Sequence, residues 1–231
     1  MAVLATFAGN NPCPMPIHLI DLTRTMHGGM PVYPGSASPV FETIAAVGSD
    51  GYRETSLRIL SHHGTHIDAP AHILANGKTL DLFPPEKFAG KAIVISVAGE
   101  TAIDRSLLQR HEARIAGCDF ILFYTGWQHR WGTAGYLEDC PLPTREAAEW
   151  LAKFPLKGIG ADAFSLDSIT AWPIREDTLP NHFTFLRNEI LLIENLDNLD
   201  QLPGTEFELF CLPLRIAGID GSPVRAMAVM K

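Results

Sequence analysis

Thr55-Ser56-Leu57-Arg58-Ile59-Leu60-Ser61-His62-His63-Gly64-Thr65-His66-Ile67-Asp68-Ala69-Pro70-Ala71-His72 is the stretch that decides the fold. Its first seven residues alternate Thr/Leu/Ile with Ser/Arg, the period of a half-buried strand. That strand runs straight into four histidines and an aspartate. His62, His66, Asp68 and His72 stand at even offsets, and in an extended chain even offsets share one face. A helix would pair His62 with His66 but turn Asp68 about 200° away from His66. It would also hold Gly64, Thr65 and Pro70 in its interior. The segment is therefore predicted to be extended, with His63 facing away from the others and outside any site.

Two imidazoles and a carboxylate on one face suit a borderline divalent cation such as zinc, manganese or iron. Three protein ligands leave a coordination position for water or substrate, which separates a catalytic site from a closed structural one. His72, slightly farther along, has the intrinsic pKa to accept or deliver a proton near neutrality. A single histidine is more often a surface or core residue than a ligand. Burying this many polar groups unpaired, however, would cost several kcal/mol.

Outward from the histidines, strands and helices interleave. Strands are expected at 17–23, 92–97, 120–125, 158–162, 190–194, 208–213 and 225–230, from apolar and β-branched runs. Asp104 is expected to cap a helix reaching Ala116, Thr144 to cap a second over Ala147–Phe154, and Asn181 a short third. Met30-Pro31-Val32-Tyr33-Pro34-Gly35-Ser36 reads as a rigid loop or edge segment. The pattern predicts an α/β fold, a single domain over residues 16–231 with a mixed central β-sheet flanked by helices. Residues 1–15 read as an N-terminal arm.

The 231 residues are 46% hydrophobic and 19% charged, with a net charge of −8. That composition is globular, and an acidic chain gains nothing from counterion release, so nucleic acid is not an expected partner. No apolar run nears the ~20 residues that span a bilayer, so no membrane is expected either. Cys13, Cys118, Cys140 and Cys211 form no Cys-x-x-Cys pair and no disulfide framework. The apolar start lacks the basic residues of a signal peptide, and the cytoplasm is the expected location. Neither a Gly-x-Ser-x-Gly elbow nor a full Gly-x-Gly-x-x-Gly turn occurs, which argues against serine-hydrolase and nicotinamide chemistry.

His62-x-Gly64-Thr65-His66-x-Asp68-x-Pro70-x-His72 resembles the motif of the cyclase family of metal-dependent hydrolases, which includes bacterial kynurenine formamidases and isatin hydrolases. The likeness runs over most of the chain, from Ile20-Asp21-Leu22 to Asn195-Leu196. It implies a swivelling β/β/α fold. It implies His62, His66 and Asp68 as metal ligands and His72 as proton donor and acceptor. It implies a second metal on His182 and Glu194, twelve residues apart, with Asp68 bridging. Pro31-Val32-Tyr33-Pro34-Gly35-Ser36 is similar to the family's Pro-Val-Trp-Pro-Gly-Asp, which implies Tyr33 as a substrate-binding aromatic in place of Trp. The expected activity is hydrolysis of a small amide such as an aryl formamide, with one or two zinc or manganese ions per subunit. Hydrolysis of a cyclic amide or lactone, a cyclisation or dehydration on the same site, and a non-enzymatic metal binder are the alternatives. The resemblance also implies a homodimer or homotetramer.

Overall fold

A computed structural model describes residues 18–169, 174–202, 204 and 206–230. The expected N-terminal arm, residues 1–15, lies outside the described residues. The strands are β1 (His18–Asp21), β2 (Val40–Ala45), β3 (Glu54–Arg58), β4 (His66–Asp68), β5 (Ala89–Ser96), β6 (Phe120–Tyr124), β7 (Gly158–Ala161), β8 (Leu191–Glu194), β9 (Glu206–Phe210), β10 (Gly221–Pro223) and β11 (Met227–Met230). The helices are α1 (Val47–Asp50), α2 (Arg105–Gln109), α3 (Glu112–Ala116), α4 (Arg145–Leu151) and α5 (Pro180–Arg187).

Nine strands form one sheet in the order β1-β11-β9-β5-β6-β7-β8-β4-β10. The middle four, β5 to β8, run parallel, and every other pairing is antiparallel. This is the expected mixed α/β sheet. It cannot lie flat. β11 and β10 stand seven places apart in the sheet, about 34 Å at 4.8 Å per strand. Yet only residues 224–226 connect them, and such a link reaches at most about 14 Å. The sheet curls until its β1 end comes round to β8: Thr23 bridges Leu196, and Asp197 N–H donates to Leu22 O at 3.0 Å.

Strand alternation divides the apolar residues between two cores. Ile93, Ile95, Ile121, Phe123, Ile159 and Leu192 face the helices and pack with Leu108, Ile115, Trp150 and Phe185. Their neighbours Val94, Phe120, Leu122, Leu191 and Ile193 face inside the curl and pack with Leu22, Ile67, Leu209 and Ala228. Gly160 belongs to this close packing: a Cβ there would stand 2.9 Å from Ile193 O and 3.0 Å from Leu122 Cδ2. That accounts for a glycine in mid-strand without any nucleotide-binding turn.

Four local expectations need correction. The 55–61 strand is not half-buried. Among the described residues β3 pairs with β2 alone, in a separate two-stranded ribbon, and all five of its residues are exposed. The helix capped by Asp104 breaks in two, because Arg110 and His111 N–H bond three residues back rather than four. Asn181 lies inside α5, whose N-terminal residue is Pro180, and its amide donates to Pro143 O and Leu166 O, both at 2.8 Å. Finally, the histidine segment is extended only over His66–Asp68. Pro70–His72 is a single 3₁₀ turn, so His72 reaches its place by that turn and not by strand alternation.

Candidate metal centre

β4 carries the centre of the site. It lies between β8 and β10, with His66 opposite Glu194 and Asp68 opposite Gly221. Register alone therefore brings a late carboxylate beside an early histidine. The 61–65 turn returns His62 over the strand. The backbone makes room for it: a Cβ on Gly221 would lie 2.5 Å from His62 Cε1. Only glycine fits beneath that ring.

His62 Nδ1 is 2.7 Å and His66 Nε2 3.3 Å from Asp68 Oδ1. His182 Nε2 is 3.8 Å from Asp68 Oδ2 and 3.4 Å from Glu194 Oε1. Glu194 Oε2 lies 3.5 Å from His66 Nε2. Thus His62, His66, Asp68, His182 and Glu194 converge. His72 adjoins them, its ring 4.0 Å from that of His62 and 6.1 Å from that of His182. Asp68, His66, His182 and Glu194 are 1%, 3%, 4% and 6% exposed. His63, as expected, takes no part; its Nδ1 accepts from Leu60 N–H at 3.2 Å.

Each converging imidazole has its remote nitrogen held by an oxygen. His62 Nε2 meets Asp220 Oδ2 at 3.0 Å. His66 Nδ1 donates to Gly64 O at 2.9 Å. His182 Nδ1 donates to Asp167 Oδ2 at 2.8 Å. Such outer partners fix tautomer and ring orientation in metal-ligating histidines, and here all three leave the other nitrogen turned toward Asp68. Asp167 also accepts from the backbone N–H of Asn181 and His182, anchoring the first turn of α5 and its histidine together.

The electrostatics match. Burial opposes charge on His62, but Asp68 and Asp220 push it up to about 10. Burial likewise opposes charge on His182, but Asp167 and Glu194 push it up to about 10. Desolvation works against ionised Asp68, yet the imidazoles of His62 and His66 hold it well below the carboxylate range. The pocket gathers buried carboxylates around its imidazoles, and a divalent cation would balance that charge by displacing ligand protons. The donor set of histidine nitrogens and carboxylate oxygens suits one. His62, His66 and Asp68 offer donor atoms all within 4.8 Å of one another, as do Asp68, His72 and His182.

Tyr33 lies outside the converging group. Its ring stands 6.0 Å from Phe164, and Leu166, close along that segment, donates its N–H to Glu194 Oε1 at 3.3 Å. Sequence reasoning passed over Asp220 and gave Asp167 no role. Asp167 had a signal, since Ser165-Leu166-Asp167 resembles a family segment near the site, whereas Asp220 sits in a Gly-rich turn where carboxylates are usually solvated.

A curled mixed sheet bearing clustered imidazoles and carboxylates defines an α/β protein with a site able to hold a metal. Residues 20–168 match the model of the cyclase family. The kynurenine formamidase of Salinibacter ruber is 30% identical over 219 residues, spanning 90% of this chain and 96% of that protein. Isatin hydrolase A from Ralstonia solanacearum superposes with a TM-score of 0.80 at 30% identity, covering 93% of this chain and 92% of that one. A Bacillus stearothermophilus protein described as a predicted metal-dependent hydrolase gives a TM-score of 0.73 at 25% identity, covering 94% and 100%. The chain belongs to the cyclase family.

Proposed function

We propose that this protein is a metal-dependent hydrolase cleaving the C–N bond of a small amide, with an aryl formamide as its substrate type. The observation that carries this reading is the orientation of His62, His66 and His182, each held from behind and turned toward Asp68. Zinc or manganese, one or two ions, would be held by His62, His66 and Asp68 and by His182 and Glu194. Such a cation polarises a carbonyl and makes water nucleophilic near neutral pH. Asp68, Glu194 and Asp167 supply the buried negative charge that keeps it in place. His72 takes a proton from the attacking water and delivers it to the leaving nitrogen. Tyr33, its ring 6.0 Å from Phe164 and tilted 30° to it, would supply an aromatic face for the aromatic part of the substrate.

A second reading, opening of a cyclic amide, uses the same residues and draws support from the likeness to isatin hydrolase A. A non-enzymatic metal site could take His72 as a ligand beside Asp68 and His182, and it predicts no turnover of any substrate.

A second copy of the chain is the partner we infer. An isolated two-stranded ribbon is marginal in water, and β2–β3 exposes Phe41, Ile44 and Leu57 with Val47 and Tyr52 nearby. The free thiols of Cys118, Cys140 and Cys211 fit a reducing, cytoplasmic setting.

The test is a panel of N-formylkynurenine, isatin and a lactone, assayed with metal-stripped protein and after adding zinc or manganese. Turnover restored by one of the metals is expected. Absence of turnover of all three with either metal refutes the proposal.

A further inference from the structure

One carboxylate serves two histidines with different tasks. Asp220 Oδ2 lies 3.0 Å from His62 Nε2 and 3.6 Å from His72 Nδ1. Its position is fixed by the backbone. Ala69 N–H donates to Asp220 O at 2.8 Å, and the next residue, Gly221, pairs with Asp68 beneath His62. His66 and His182 have acceptors of their own. Among the described residues, Asp220 is the one carboxylate in ion-pair contact with His72. The 3.6 Å separation exceeds a hydrogen bond, but catalytic contacts commonly tighten once substrate is bound.

We propose that Asp220 is a positioning residue for His72. It accepts the Nδ1 proton and thereby leaves Nε2 as the basic nitrogen. The proton of the attacking water moves to Nε2, Asp220 stays ionised beside the imidazolium, and the same proton leaves from Nε2 to the departing nitrogen. Because one oxygen faces both rings, the carboxylate that aligns a metal ligand also aligns the proton carrier. This inference rests on the hydrolase reading above.

The experiment compares wild type, Asp220→Asn, Asp220→Glu, His72→Ala and the Asp220→Asn/His72→Ala double variant, all at saturating zinc with metal content measured. The substrate is whichever panel compound the wild type cleaves. Asp220→Asn should lower kcat about 10–100-fold with KM little changed, and Asp220→Glu should recover part of the loss. In the His72→Ala background the same change should cost markedly less than in wild type, the remainder being the share that passes through His62, since paired groups are not additive. Unchanged kcat in Asp220→Asn at full metal loading, or losses that simply multiply in the double variant, would overturn the proposal. Nitrogen NMR of His72 in zinc-loaded wild type gives a readout free of turnover. The neutral ring should carry its proton on Nδ1, and a proton found on Nε2 overturns the assignment even if no panel substrate is cleaved. In that last case the missing turnover counts against the hydrolase reading alone.

Discussion

His72 and His62 hold the accessible side of the site, their side chains 29% and 25% exposed against 1% for Asp68. A proton carrier has to meet both water and substrate, and on the proposed reading His72 does so. His72→Ala should therefore lower kcat about 10²- to 10⁴-fold while elemental analysis finds the metal content of the wild type. The cysteines make the opposite case. Burial pushes the thiols of Cys118, Cys140 and Cys211 up to about 12, above the usual thiol value, so at pH 8 only about one in 10⁴ is thiolate. Iodoacetamide labelling of these three, followed by peptide mass spectrometry on native protein, should be slow at pH 8. It should rise about tenfold per pH unit to pH 10, because the reactive fraction grows that way below the pKa. Rapid labelling at pH 8 would show that burial is not maintained. The motif residues were legible because they crowd into one segment. Asp220 was not, since its contact with His62 spans 158 positions and nothing nearby in sequence marks it.

Thr144 caps α4 by accepting from Ala147 N–H at 3.2 Å. Replacing it with Ala should cost about 1 kcal/mol, read as a lower urea midpoint with unchanged slope. Both this cap and that of Asp104, which accepts from Leu107 N–H at 2.8 Å, were legible because a cap is a short-range bond between a side chain and a backbone three residues on. The first turn of α5 was misread for the converse reason. Its capping carboxylate, Asp167, lies 15 residues from His182, so Asn181 stood in the expected place while serving the 143 and 166 carbonyls instead. The break between α2 and α3 was hidden too, since Leu107, Leu108 and Ile115 are all buried and their spacing reads as one helix. In β3 the alternation was real, but periodicity reports which face is apolar and not what covers it.

The whole molecule leaves that question open at the β2–β3 ribbon, where Phe41 stands directly opposite Leu57. Changing both to Glu should break self-association. Light scattering should report a multiple of the chain mass for wild type and a single chain for the variant, with far-UV circular dichroism retained. A monomeric wild type would refute the inferred self-association. The sheet itself was legible as mixed, because apolar runs in mid-chain and shorter pieces toward both ends gave its parallel centre and antiparallel flanks. Its curl was not, since curvature follows from which strands meet, and β10, three residues long, is too short to show any period.

The pairing of β10 with β4 bears on the order of events expected during folding. Contacts between positions so distant along the chain carry a large loop-closure cost and form late. Asp220 and Gly221 should therefore reach His62 and Asp68 after the parallel strands have found one another. On the proposed reading, uptake of zinc or manganese should consequently trail the recovery of secondary structure when the denatured protein is diluted into buffer. The ion would then arrive at a finished cradle and would not template it.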